Sequence, residues 1–374
     1  MTATRFFLFL AIFILGPLGL DVTPASAQPA PPASTRSGEE LYRSGCITCH
    51  GPDGKGAVRA QLGFDNDLPD FTDCTFSTPE PDSDWLAIIH QGGTARAFSR
   101  RMPAFEDLLT DVEIERLVGH LRTFCASRAW PRGDLNLPRP LYAVKAFPEN
   151  EALLTTTITS GTDEAVENGF LYEHRIGARS QYEVNVPITA LSQNGTWTNG
   201  LGDVTVAFKH VVFHNLGRGV ILSAGAEALL PTGSEERGLG KGVTIFEPFV
   251  ALGKLLPSDG FLQFHTGIEL PTDTTKSASE AFARLALGKS FTQGAWGRSW
   301  SPMVELLIAH ESGSDEPTLW DLAPQMQVTL SRRQHIMISG GVKIPLNELS
   351  DRGAELATYF LWDWFDGGLF EGWR

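Results

Sequence analysis

Hydrophobic and polar positions change their period near residue 150. In "GDVTVAFKHVVF" (202–213), Val204, Val206 and Phe208 fall on one face, and Asp203, Thr205 and Lys209 on the other. "GVILSAGAEALLP" (219–231) sets Val220, Leu222, Ala224, Ala226 and Leu230 against Ser223 and Glu227. "FLQFHTGIEL" (261–270) sets Leu262, Phe264 and Ile268 against Gln263, His265 and Glu269. The alternation continues through 300–310, where Val304, Leu306 and Ile308 oppose Glu305, and through 319–330. A sustained period of two predicts strands with one apolar and one polar face, about twelve of them between 152 and 365. Their connections alternate between long polar loops ("SQNGTWTNG", "PTGSEERGLGKG", "PTDTTKSASE", "ESGSDEP") and short turns ("GARS", "LPSDG", "RRQ").

Two architectures accommodate such strands. A soluble sandwich or lipocalin-like barrel turns the apolar face inward; an outer-membrane barrel turns it to lipid and keeps charges in the lumen. Alternating long and short connections favour the membrane barrel, with long loops outside and short turns in the periplasm. Val206, Leu222, Phe264 and Val328 are then expected to meet lipid, with Glu227, Glu269 and Glu305 in the lumen. The last strand, "ELATYFLWDWF" (355–365), is rich in aromatics, and a tail, "DGGLFEGWR", follows it.

Before residue 150 the period is helical. "LLTDVEIERLVGHLRTFC" (108–125) carries Ile114, Leu117, Val118, Leu121 and Phe124 at helical spacing. Ser37, with Glu40 three residues on, is a capping box that opens a short helix carrying Leu41 and Tyr42. "WPRGDLNLPRPLY" (130–142) has no helix or strand period and reads as an extended connector. At the start, Arg5, the apolar run 6–20 and "ASA" (25–27) read as a secretory signal peptide, the alternative being an uncleaved anchor helix. The expected plan is a signal peptide (1–27), a linker (28–35), a helical domain (36–128), a Pro-rich linker (129–150) and a β-barrel (151–374).

A net charge of −14 argues against nucleic acid as a partner. With 38 glycines, 23 prolines and 20 % charged residues, the composition suits turn-rich β structure better than disorder.

The chemistry is concentrated early. All 4 cysteines, at 46, 49, 74 and 125, lie in the helical part. "CITCH" (46–50) is a Cys-x-x-Cys-His motif, the signature of c-type haem attachment. Cys46 and Cys49 would each add across a haem vinyl group, with His50 as proximal iron ligand. A thioredoxin-like pair would not need the histidine, and a zinc site would need a second ligand pair. In an oxidising compartment Cys74 and Cys125 are expected to form a disulfide, the alternative being two buried thiols. The barrel offers no defensible nucleophile–base pair or metal cluster; its histidines (174, 210, 214, 265, 310 and 335) are scattered.

The stretch 36–126, with "STRSGEELYRSGCITCHG", the turn "GPDGKG", the segment "RRMPAF" and the helix before Cys125, resembles class I mono-haem c-type cytochromes. The resemblance implies an all-α fold, a last helix packed across the first, one covalent haem c and a distal methionine, which "RRMPAF" supplies as Met102. His90 and His120 are the rival ligands. The Cys74–Cys125 pair departs from the plain pattern of the family. The β region loosely resembles outer-membrane transporters of aromatic-degradation pathways. The chain is therefore expected to be a multidomain protein, an all-α class I cytochrome c followed by an antiparallel outer-membrane-type barrel. Its expected role is electron transfer in the periplasm by a His/Met-ligated haem tethered to the outer membrane. The alternatives are a solute channel whose cytochrome is a redox sensor or docking module, and a haem enzyme with an open sixth position. The implied partners are a periplasmic redox protein, outer-membrane lipid and, for a channel, a small solute.

Overall fold

The structure is a computed structural model and describes residues 35–58, 68–160, 164–193, 195–313, 316–350 and 352–364. The expected signal peptide and the tail after the last strand lie outside the described residues.

The first part is helical: α1 (Gly38–Gly45), α2 (Ile47–His50), α3 (Cys74–Ser77), α4 (Asp82–Gln91) and α5 (Asp111–Leu121). The capping box on α1 is present: Glu40 N donates to Ser37 Oγ at 3.2 Å, and Ser37 N donates to Glu40 Oε2 at 2.7 Å. A second box, Thr110 with Glu113, starts α5 at Asp111, three residues inside the periodic run (108–125). Leu41, Tyr42, Ile114, Leu117, Val118 and Leu121 form the core with Phe71, Trp85 and Ile89. The helices α1 and α5 cross at Gly38, where a Cβ would lie 2.1 Å from Arg116 O. Any larger residue would force them apart.

The second part is one antiparallel sheet. Its strands are β1 (Glu151–Thr159), β2 (Ala165–Ile176), β3 (Ser180–Gln193), β4 (Thr196–Leu201), β5 (Val204–Asn215), β6 (Val220–Leu230) and β7 (Ile245–Leu256). They continue with β8 (Gly260–Pro271), β9 (Glu280–Lys289), β10 (Phe291–Thr292), β11 (Ser299–Glu311), β12 (Leu319–Thr329), β13 (Ile336–Pro345) and β14 (Glu355–Asp363). Each main strand pairs with the next main strand in sequence, β14 pairs with β1, and β9 pairs with β11. The sheet therefore closes on itself. Because β4 only extends the β3 hairpin and β10 is two residues long, the wall is a 12-strand barrel.

The alternation is outward-apolar, as in outer-membrane-type barrels. Phe208 is 48 % exposed on the outside, whereas its neighbour Lys209 is 1 % exposed on the inside. Phe264 points outward between Gln263 and His265, both buried in the lumen. A register shift between Val211 and Phe213 lets Val212 and Phe213 both face out. Short turns, at 177–179, 216–219, 257–259, 290–298 and 330–335, gather at one end with residue 151 and residue 363. The long loops gather at the other.

The Pro-rich segment is not a free connector. Residues 133–149 run through the barrel interior, opening with a 3-10 turn (Gly133–Leu135) and continuing without regular structure, and the lumen wall binds their backbone. Leu141 N and Tyr142 N donate to Glu305 Oε1 at 2.8 and 3.1 Å, and Ala143 N donates to Glu305 Oε2 at 2.8 Å. Arg139 N donates to Gln327, and Arg139 O accepts from Tyr359 Oη at 2.7 Å. Lys209, Ser223, Gln263 and Arg284 donate to the carbonyls of Lys145, Ala146, Pro138 and Tyr142. The Arg139 guanidinium meets Glu151 and, at 2.6 Å, Glu173. Leu135, Leu137, Leu141 and Phe147 pack on wall residues such as Ile221, Phe261 and Leu361. The segment is a plug.

Two expectations follow from these faces. Phe264→Arg, near mid-strand on the outer face, should cost about 2–4 kcal/mol of barrel stability, read as a lower urea midpoint in the heat-modifiable gel shift. Glu305→Ala strands the Tyr142 and Ala143 N–H groups at about 1–3 kcal/mol each, while Leu141 N keeps Gln325 Oε1 at 3.0 Å. In planar bilayers the wild type should stay at a closed level and Glu305→Ala should show openings.

Candidate functional site

The cavity that matters lies in the helical part, and local sequence builds it. The capped helix α1 ends at Cys46, and α2 is the single turn that carries Cys49 and His50. Tyr42, buried on α1, donates its hydroxyl to Gly51 O at 2.7 Å, tying the helix to the loop after His50. The His50 ring stacks on Phe71 with centroids 5.0 Å apart, and Phe71 leans on Trp85 at 5.4 Å. Burial pushes the His50 imidazole down to about 4, so it is neutral at physiological pH. Burial also pushes the Cys46 thiol up to about 11.

Met102 arrives from the far side of the sequence on a loop held by backbone bonds. Gly93 N donates to Met102 O at 3.0 Å, and Phe105 N donates to Ile89 O at 3.0 Å. Cys46, Cys49, His50 and Met102 line one cavity of about 930 Å³, together with Phe71, Trp85 and Phe105. That volume sits within the ~300–1,000 Å³ typical of cofactor sites.

The rival histidines are elsewhere. His90 has its ring nitrogens 3.1 Å from Glu106 and 3.1 Å from Asp111, and His120 packs on Tyr42 and Phe124; neither lines the cavity. Cys74 and Cys125 are joined by a disulfide with Cα atoms 5.3 Å apart, whereas Cys46 and Cys49 are free thiols. The bridge ties α3 to the chain just beyond α5.

The donor set suits a haem: two thiols on one helical turn, an adjacent neutral imidazole, a thioether and an apolar wall. His50 Nδ1 is also buried without a hydrogen-bond partner, so its orientation comes from ring stacking on Phe71 and not from a hydrogen bond at that atom. Haem would be held by the two thiols, His50 and Met102.

Residues 33–121 match the family model described as cytochrome c oxidase, cbb3-type, subunit III. This segment is a cytochrome c domain. The match ends before the barrel, so the assignment is of the domain. No curated protein matches the chain in sequence. Among solved structures, the NanC porin is 10 % identical with a TM-score of 0.40, covering 57 % of this chain and 98 % of its own. An outer membrane channel from Pseudomonas putida F1 is 12 % identical with a TM-score of 0.46, covering 61 % and 100 %. The KdgM porin is 8 % identical with a TM-score of 0.37, covering 57 % and 99 %. At this level the likeness is one of barrel shape.

Sequence reasoning missed the contribution of the barrel to the cytochrome domain's cavity. Arg333 and His335, from the β12–β13 turn, stand in its lining beside Arg96 and Phe98. No motif marks them, since a turn arginine ordinarily faces water.

The Met102 loop depends on the absence of a side chain at Gly93, where a Cβ would lie 2.3 Å from Ser99 O and 3.1 Å from Met102 Cβ. Gly93→Ala should therefore destabilise the cytochrome domain by about 1–3 kcal/mol through overpacking, measured as a lower denaturant midpoint of the haem-region absorbance.

Proposed function

We propose that the protein is an electron-transfer cytochrome, with one haem c bonded through Cys46 and Cys49 and ligated by His50 and Met102. A plugged outer-membrane barrel holds it at the periplasmic face. The observation that carries this reading is the single cavity lined by both thiols, His50 and Met102. Bound haem supplies a one-electron Fe(III)/Fe(II) couple. His50 and Met102 would both hold the iron, which would leave no position for a substrate, and a thioether donor would raise the potential. Phe71, Trp85 and Phe105 give the site an apolar wall.

The placement supports a periplasmic haem. Among the described residues, the cytochrome domain meets the wall at the short-turn end. Arg96 Nη1 donates to Trp296 O at 2.7 Å and Arg333 lies over the Phe98 ring at 4.2 Å, while Arg179 donates to Ala129 O, at the start of the linker, at 2.9 Å. In outer-membrane barrels that end faces the periplasm, the compartment a secretory signal peptide leads to. The plug favours an anchor over an open solute channel. A soluble periplasmic redox protein is the expected partner.

Protein matured with a haem-attachment system should carry one covalent haem by intact mass, and Cys46→Ala/Cys49→Ala should lose it. In a redox titration Met102→Ala should lower the midpoint potential and admit exogenous ligands, while His90→Ala leaves both unchanged. An unaltered spectrum in Met102→Ala would refute the axial assignment, and wild-type protein without haem mass would refute the function.

A further inference from the structure

The turn between β12 and β13 is built to project. Ser331 Oγ accepts from His335 N and Ile336 N, both at 3.1 Å, and Leu330 N donates to Ile336 O at 2.6 Å. From β14, Asp363 N donates to His335 O at 2.9 Å. These bonds make the turn a fixed extension of the wall.

Two of its side chains are buried against the cytochrome domain. Arg333 is 6 % exposed and places its guanidinium carbon 4.2 Å from the centroid of Phe98. His335 is 3 % exposed, with Nδ1 against the Asp363 carboxylate and Nε2 3.5 Å from Glu80 of the cytochrome domain. Both line the same cavity as Cys46, Cys49, His50 and Met102. On the cytochrome side Arg96, paired with Asp84 at 2.6 Å, reaches out to Trp296 O in the neighbouring barrel turn. The two parts thus exchange buried cationic groups in both directions, and one such exchange ends inside the cavity.

A haem brings two propionate carboxylates into its site. Guanidinium is the side chain best shaped to bind a carboxylate, whereas both ring nitrogens of His335 already face Glu80 and Asp363. We propose that the haem site is shared between the two parts of the chain, with Arg333 of the barrel turn binding the haem propionates. The inference rests on the haem reading above. It makes the barrel a component of the redox centre, because a fixed positive charge close to the iron disfavours the ferric state and raises the potential.

The test uses full-length, haem-loaded protein in detergent. Arg333→Gln should keep its covalent haem and its heat-modifiable barrel, yet show a lower midpoint potential. Arg333→Lys, which keeps the charge, should recover most of the difference. Arg298→Gln, an exposed arginine at the same end of the barrel, should leave the potential at the wild-type value. An unchanged potential in haem-loaded Arg333→Gln overturns the proposal, as does an equal shift in Arg298→Gln. An Arg333→Lys variant as low as Arg333→Gln overturns it too. Absence of haem from the wild type refutes the haem reading instead, so the two failures are distinguishable.

Discussion

A barrel that turns its apolar side chains outward must satisfy its polar ones inside. Everything else in this structure depends on that constraint. The inner wall carries Glu151, Glu173, Lys209, Gln263, Glu305, Gln325 and Gln327, all buried. Unpaired, each would cost the desolvation of a polar or charged group. The plug supplies the matching donors and acceptors. Glu305 alone accepts from three consecutive backbone N–H groups, and Arg139 sits between two glutamates. A lone carboxylate or guanidinium here would be expensive; paired and hydrogen-bonded, they hold an irregular segment without making it part of the sheet.

The plug also decides where the cytochrome domain sits. The disulfide to Cys74 fixes Cys125, and the chain enters the barrel at Gly133, so the domain cannot leave the short-turn mouth. Gly133 N donates to Thr78 O at 2.7 Å, and Arg122 and Arg132 both bind Asp82 beside it. Arg122 also stacks on Trp85 at 4.4 Å, and Trp85 lines the cavity. One chain of contacts thus runs from the barrel interior through the plug and Asp82 to the cavity wall. The docked domain is held at several points, which is why barrel turns can contribute side chains to its cavity.

Much of this was legible in the chain itself. Strand period, outward face and the alternation of long and short connections are local properties, and the closed barrel follows the expected strands with small shifts in their ends. The capping box at Ser37 and the Cys-x-x-Cys-His turn are equally local. The start of α5 was less so, because Leu108 and Leu109 continue the apolar run and only the Thr110–Glu113 box cuts it. The Pro-rich segment was misjudged for a physical reason. Pro138 and Pro140 lack N–H donors and break any sheet pattern, yet Leu135, Leu137 and Arg139 are buried at alternate positions. That alternation is one of burial and not of letters, since Arg139 reads as a polar position and nothing local shows the wall that faces it.

The sequence by itself determined the two parts, their order, the thiol–imidazole motif and the direction in which the strands turn their apolar side chains. Each depends on residues within a few positions of one another, where backbone geometry and side-chain period dictate the outcome. Tertiary structure alone decided that the linker fills the lumen, that His90 spends its ring on Glu106 and Asp111 away from the cavity, and that Arg333 and His335 reach a cavity more than two hundred residues earlier in the chain. Those outcomes depend on which surfaces meet once the barrel closes. Closure is a property of the whole sheet, and no single stretch of the chain encodes it.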